Sequence, residues 1–192
     1  SDWSSDVCSS DLSCNFSSLH FDSPEFPELV AAIADRHNVP HALLELEITE
    51  SAIMRNPQIV CAQVLRLKER GFMIAIDDFG SGYSSLGQLQ QLMADVLKLD
   101  RSFVRRGMFG TRERIVIGNV IHMAGELGMQ VICEGVENAK QAEMLIELGC
   151  YYAQGFYYAK PMPRDVFEGL LEKGKVLQDE KENKKGAWQR KP

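Results

Sequence analysis

Four carboxylates recur at comparable places along this chain: Glu47 in LLELEITES, Asp77 and Asp78 in FMIAIDDFG, and Glu134 in MQVICEGVE. Each lies at or near the C-terminal end of a short β-prone run. Asn15 in LSCNFS, Lys98 in DVLKLDRSF and Gln154 in YAQGFYYAKP hold similar positions. Carboxylates taken out of water are costly unless something pairs with them, and one lysine cannot neutralise four. Divalent cations can, and oxygen-rich donor sets select Mg2+, Mn2+ or Ca2+. Asn15 adds one more oxygen. Adjacent acids such as Asp77 and Asp78 can serve two ions, and two ions about 3.5–4 Å apart can hold a water and a phosphodiester for in-line displacement. Singly, these residues mean little. An acid at a strand end is commonly an N-cap or a surface charge, Asn15 a turn residue, Lys98 a solvated stem, and Glu50 the N-cap of a following helix. Their recurrence on successive strand ends is what points to a metal site.

The elements that must position them alternate. Short runs at 12–17, 43–51, 72–80, 95–103, 129–137 and 152–161 read as strands. Longer segments at 27–38, 57–71, 85–93, 113–128, 138–149 and 163–174 read as helices. Leu29 and Ile33, and Val60, Val64 and Leu67, follow helical apolar spacing, and Gly71, Gly128 and Gly149 fall where left-handed C-caps belong. FMIAI is continuously apolar and MQVIC is so apart from Gln130, as parallel strands covered on both faces should be. The fold class expected is α/β, an incomplete TIM-type (β/α)8 barrel with about six β/α units and the first strands missing. A barrel brings all strand ends to one face, whereas an open sheet would leave the outer ones too far apart to share a site. No GxGxxG or P-loop supports a nucleotide-binding open sheet. GSGYSSL (80–86) lacks the P-loop lysine, and its glycines suit either a mobile gate or a plain connection.

Composition agrees with one globular domain. The chain has 192 residues, 45% hydrophobic and 25% charged, with net charge −6. An acidic balance argues against direct DNA binding, yet metal ions can invert the local charge for a phosphate substrate. No apolar run reaches the roughly 20 residues of a membrane helix, and the N-terminus has no signal-peptide pattern. Five scattered cysteines without a CxxC pair fit a reducing, cytoplasmic setting. Residues 176–192 are charged and without an apolar stripe, as in a fraying tail or linker.

IAIDDFGSGYSSL (74–86), LEITES (46–51), LKLDRSFV (97–104), CEGVEN (133–138) and AQGFYYAKP (153–161) resemble successive motifs of the EAL-domain family. LSCNFS resembles that family's Asn-bearing strand. The resemblance runs over about 13–172. It implies a modified TIM barrel that uses two Mg2+ or Mn2+ ions to hydrolyse the bacterial messenger cyclic di-GMP to linear pGpG. Carried over by motif, Asn15, Glu47, Asp77, Asp78 and Glu134 would be metal ligands. Lys98 would orient or polarise the attacking water, and Glu50 would support the loop of Phe79, Gly80, Ser81, Gly82 and Tyr83. Gln154, Glu137 and Asp100 would belong to the surrounding shell. The intact protein would be a homodimer, fused to sensory or diguanylate cyclase domains that could anchor it to a membrane. Two departures stand out. The loop reads GSG where the family more often has GTG, which keeps the hydroxyl. No Glu-Ala-Leu tripeptide occurs in the chain, although that Glu is a metal ligand in the family.

The family barrel would need roughly 70 more residues ahead of the Asn-bearing strand, against a norm near 250 for the fold. Residues 1–12, SDWSSDVCSSDL, have no strand or helix pattern. Asp2 to Leu12 can be encoded by a string resembling a widely used sequencing-adapter oligonucleotide. The expectation is therefore a non-native stretch at 1–12, a partial EAL domain at 13–175 and a tail at 176–192. The parent domain would be an active hydrolase and this polypeptide inactive and poorly folded, since a barrel without its first strands leaves open edges. The competing reading is a degenerate receptor that binds cyclic di-GMP without cutting it. A different metal-dependent barrel enzyme is the third.

Overall fold

The computed structural model describes residues 12–80, 89, 91–107 and 110–172. Residues 1–11 of the stretch expected to be non-native (1–12), loop residues Ser81, Gly82 and Tyr83, and the expected tail 176–192 lie outside the described residues, whereas Leu12 is described and opens the first strand. Six strands are described: β1 (Leu12–Phe16), β2 (Leu44–Thr49), β3 (Met73–Phe79), β4 (Val96–Leu99), β5 (Gln130–Cys133) and β6 (Tyr152–Ala153). The helices are α1 (Ser18–Phe21), α2 (Phe26–Arg36), α3 (Glu50–Arg55), α4 (Pro57–Glu69), α5 (Arg101–Gly107), α6 (Thr111–Glu126), α7 (Ala139–Glu147) and α8 (Arg164–Glu172). All strand pairs are parallel, and spatial order equals chain order, β1-β2-β3-β4-β5-β6. A doubly wound sheet reverses its order part-way. A sheet that never reverses winds one way only, as right-handed crossovers build a barrel wall.

Register then assigns the faces. Leu46, Ile48, Ile74, Ile76, Leu97, Leu99 and Cys133 point outward under the helices. They form one buried cluster with Ile53, Val60, Val64, Leu67, Ile117, Ile121 and Leu145. Alternate residues face the barrel interior, including Ala75 and Val96, both fully buried. That second face also carries the polar side chains.

Boundaries differ from the sequence expectation where side chains compete with the ladder. The run at 95–103 ends as a strand at Leu99, because the Asp100 carboxylate accepts the Ser102 N–H at 2.9 Å and starts a helix. The run at 152–161 pairs only over Tyr152–Ala153. Beyond it Gly155 lies so close to the Val136 backbone that a Cβ would overlap it. The short α1 was unforeseen; Ser17 and His20 form a capping box around it. In the 85–93 segment only Leu89 and residues 91–93 are described, with Leu89 and Gln91 helical.

Ile76, wholly buried between sheet and helices, offers a direct test. Ile76→Ala should cost about 2–5 kcal/mol, seen in urea unfolding as a lower midpoint at unchanged slope.

Candidate metal centre

The interior face of the wall gathers the acids. Asn15 on β1 is in register with Glu47 on β2, Glu47 with Ala75 on β3, and Thr49 with Asp77. Lys98 pairs with Ile132, two residues before Glu134. The Lys98 ammonium lies 2.7 Å from Glu47 Oε1, 3.0 Å from Asp77 Oδ1 and 2.8 Å from Glu134 Oε1. Its side chain is 7% exposed and that of Glu47 5%. One cation from β4 thus meets carboxylates from β2, β3 and the end of β5. The Asp77 contact is a charge contact only: Oδ1 is buried and makes no hydrogen bond among the described residues.

Asp77 and Asp78 could not normally share a site, because neighbours on a strand point to opposite faces. Here the β3–β4 register shifts between Ile76 and Phe79, and Asp78 has φ +55°. This left-handed turn of the backbone costs about 1–2 kcal/mol for a non-glycine residue. It cancels the alternation. Oxygens of Asp77, Asp78 and Glu134 consequently lie within 4.8 Å of one another, a group that could hold a metal ion. Three carboxylates converging at that spacing suit a hard divalent cation. Glu47 and Asn15 border them through the register.

The electrostatics fit the same reading. Burial raises the Asp78 carboxyl above its usual range, helped by Asp77 and Asp100 and opposed by Lys98 and Arg101. Burial likewise raises Glu134 against the pull of Lys98. For Lys98, burial disfavours the charge, but its ion pairs with Glu134, Glu47 and Asp77 outweigh it and hold the ammonium above its ordinary value.

Among the other expected residues, Thr49 rather than Glu50 caps α3, accepting the Ala52 N–H at 3.3 Å. Glu50, 1% exposed, accepts the Gly80 N–H at 2.7 Å. Asn15 is exposed. Gln154 is exposed as well, and its backbone bonds Cys133 and Val136. Glu137 faces Arg105 at 3.5 Å, away from the three-acid group, and its N–H bonds Gln141. Asp100 serves as the cap of α5. The reading overlooked Glu45, buried on the interior face and bonded by Ser13 Oγ at 2.7 Å. Its signal was present: it stands two residues before Glu47 in LELEIT.

The sequence profile of the EAL domain matches residues 2–161. The chain belongs to the EAL-domain family. It is 36% identical over 156 residues to the cyclic di-GMP phosphodiesterase RocR of Pseudomonas aeruginosa, covering 81% of this chain and 40% of RocR. It is 37% identical over 160 residues to the signaling protein YkoW of Bacillus subtilis, covering 83% of this chain and 20% of YkoW. The EAL domain of Mycobacterium smegmatis DcpA superposes with TM-score 0.80 at 38% identity, over 86% of this chain and 74% of that one. The phosphodiesterase PaMucR, solved with cyclic di-GMP, superposes with TM-score 0.76 at 34% identity, over 81% of this chain and 63% of that one. BlrP1 of Klebsiella pneumoniae was solved with manganese and cyclic di-GMP, and superposes with TM-score 0.74 at 25% identity, over 79% of this chain and 39% of that one. The EAL fold is a TIM-like barrel, and the six-stranded wall is consistent with an incomplete one. The chain spans 20% to 40% of the length of the two curated relatives named. Among the described residues, no helix is long and apolar enough to cross a membrane.

Two outcomes follow. Lys98→Met leaves three carboxylates without their cation, and breaking a buried pair this way costs about 3–5 kcal/mol; in a thermal melt, Mn2+ should recover more of that loss than it adds to the wild type. Because Asp78 and Glu134 are raised, the folded metal-free protein holds protons that the unfolded chain has released, so its stability should fall as pH rises through those raised values. Calorimetry across that window should show the fall, and should show Mn2+ affinity changing the opposite way, since protonation removes the ligand charge.

Proposed function

We propose that this chain is part of a domain that hydrolyses cyclic di-GMP to linear pGpG with two Mg2+ or Mn2+ ions. The observation that carries the reading is the β3 bulge, which turns adjacent Asp77 and Asp78 toward Glu134 beside a buried lysine. Asn15, Glu47, Asp77, Asp78 and Glu134 would hold the ions. Such ions, when bound, lower the pKa of a water and offset charge on a phosphodiester.

The chain's own residues then have defined tasks. Lys98 is held protonated by its acidic neighbours, so it donates hydrogen bonds and cannot serve as a general base. Its ammonium suits orienting a water or a phosphoryl oxygen. Asp78 is exposed, so its carboxylate is open to an ion and to the water such an ion would carry. Glu50 fixes the backbone where β3 ends, through the Gly80 N–H.

The 192-residue polypeptide by itself should turn over poorly, because the Glu of a Glu-Ala-Leu motif is absent from it. For the whole protein we extend the proposal to a cytoplasmic homodimer joined to sensory or diguanylate cyclase domains. The test adds the EAL-bearing segment of RocR ahead of residue 13 and follows pGpG by chromatography. The fusion should release pGpG with Mn2+, the 192-residue chain little, and a fusion carrying Asp77→Asn at least about 100-fold less. A folded fusion that binds cyclic di-GMP without cleaving it would favour a receptor instead.

A further inference from the structure

We propose that Phe103 is a positioning residue for the metal centre, acting on Asp77 and Asp78 through the backbone of Gly80. The proposal deepens the functional reading above and rests on it for its consequence, though not for its geometry. A left-handed non-glycine residue such as Asp78 persists only where its surroundings over-determine it. The grip lies just beyond it. Phe79 pairs with Leu99, and its carbonyl accepts the Asp100 N–H at 3.2 Å. Gly80 donates its N–H to Glu50 Oε2 at 2.7 Å.

Gly80 itself has φ +89°, and a Cβ built there would overlap the Cε2–Cζ edge of the Phe103 ring. The ring thus fills the space a side chain at 80 would need and closes the open side of the most permissive residue type. Phe103 is anchored in turn: its N–H donates to Asp100 O at 2.9 Å, and its ring packs on the buried core. The contacts close a circuit from Phe79 to Asp100, to Phe103, to Gly80. Lys98 stands two residues before Asp100, so the circuit ties the lysine strand to the aspartate strand. Removing the ring leaves Gly80 free on that side, and a freed Gly80 lets Asp78 relax toward ordinary strand geometry, which turns its carboxylate away.

The test compares wild type with Phe103→Leu, Phe103→Met and Phe103→Tyr by amide hydrogen exchange and Mn2+ titration calorimetry. Leu and Met keep an apolar side chain, so at least one should unfold cooperatively as a folded domain. In it the Gly80 amide should exchange about tenfold faster while core amides of β3 stay protected. Mn2+ affinity should drop about 10- to 100-fold, as for other groups that hold metal ligands in place. Tyr, which keeps the ring, should restore both. Unchanged exchange at Gly80 in a folded variant would overturn the proposal. So would a uniform loss of protection over the whole domain, or failure of both variants to fold, since either makes the ring purely structural. If the wild type binds no Mn2+ yet Gly80 exchange still rises in Leu and Met, the metal reading fails and the Phe103–Gly80 clamp stands.

Discussion

A lysine ammonium held among three carboxylates in a nearly dry strand face constrains everything around it. Lys98, Glu47, Asp77 and Glu134 come from four places in the chain. They meet only if β2, β3, β4 and β5 are adjacent, parallel and in one register. A slip of one residue would send each of them to the opposite, apolar face. The outer face then supplies the driving force, since its Ile, Leu and Val side chains are buried under the helices whatever the interior holds.

The β3 bulge is the second constraint. A regular strand would offer only one of two neighbouring aspartates to the interior. The left-handed Asp78 makes both available, and Asp is among the few non-glycine residues that tolerate that conformation. The backbone energy it takes up is local and modest. The residues that hold it, Glu50, Leu99 and Phe103, come from three elements. The candidate centre is therefore positioned by packing as much as by its carboxylates.

Much of this was legible in the sequence. The alternation of apolar runs gave the β/α units, and acids at successive run ends pointed to the group that Asp77, Asp78 and Glu134 form, because strand ends on one barrel face must converge. Lys98 was legible by position; its contacts with three acids were not, because they depend on register. The Asp78 conformation left no trace beyond the doublet itself, since a sequence pattern encodes alternation and not its interruption. The Asp100 cap was hidden for a related reason. LKLDRSF places Leu97, Leu99 and Phe103 on alternate positions with Arg101 among them, and the side-chain bond to Ser102 shows where the strand stops. Thr49 could have been found as a cap from the hydroxyl residue before ESAIM, but LEITES reads equally well as a longer strand.

The central claim is that Asp77, Asp78 and Glu134 jointly bind a divalent cation. Anomalous diffraction from crystals grown with Mn2+ tests it most directly. The account predicts an anomalous peak within coordination distance, about 2.0–2.3 Å, of oxygens from all three residues, with Asp78 still left-handed. Manganese peaks only at other surface acids, with the Asp78 carboxylate turned to the outer face, would contradict it.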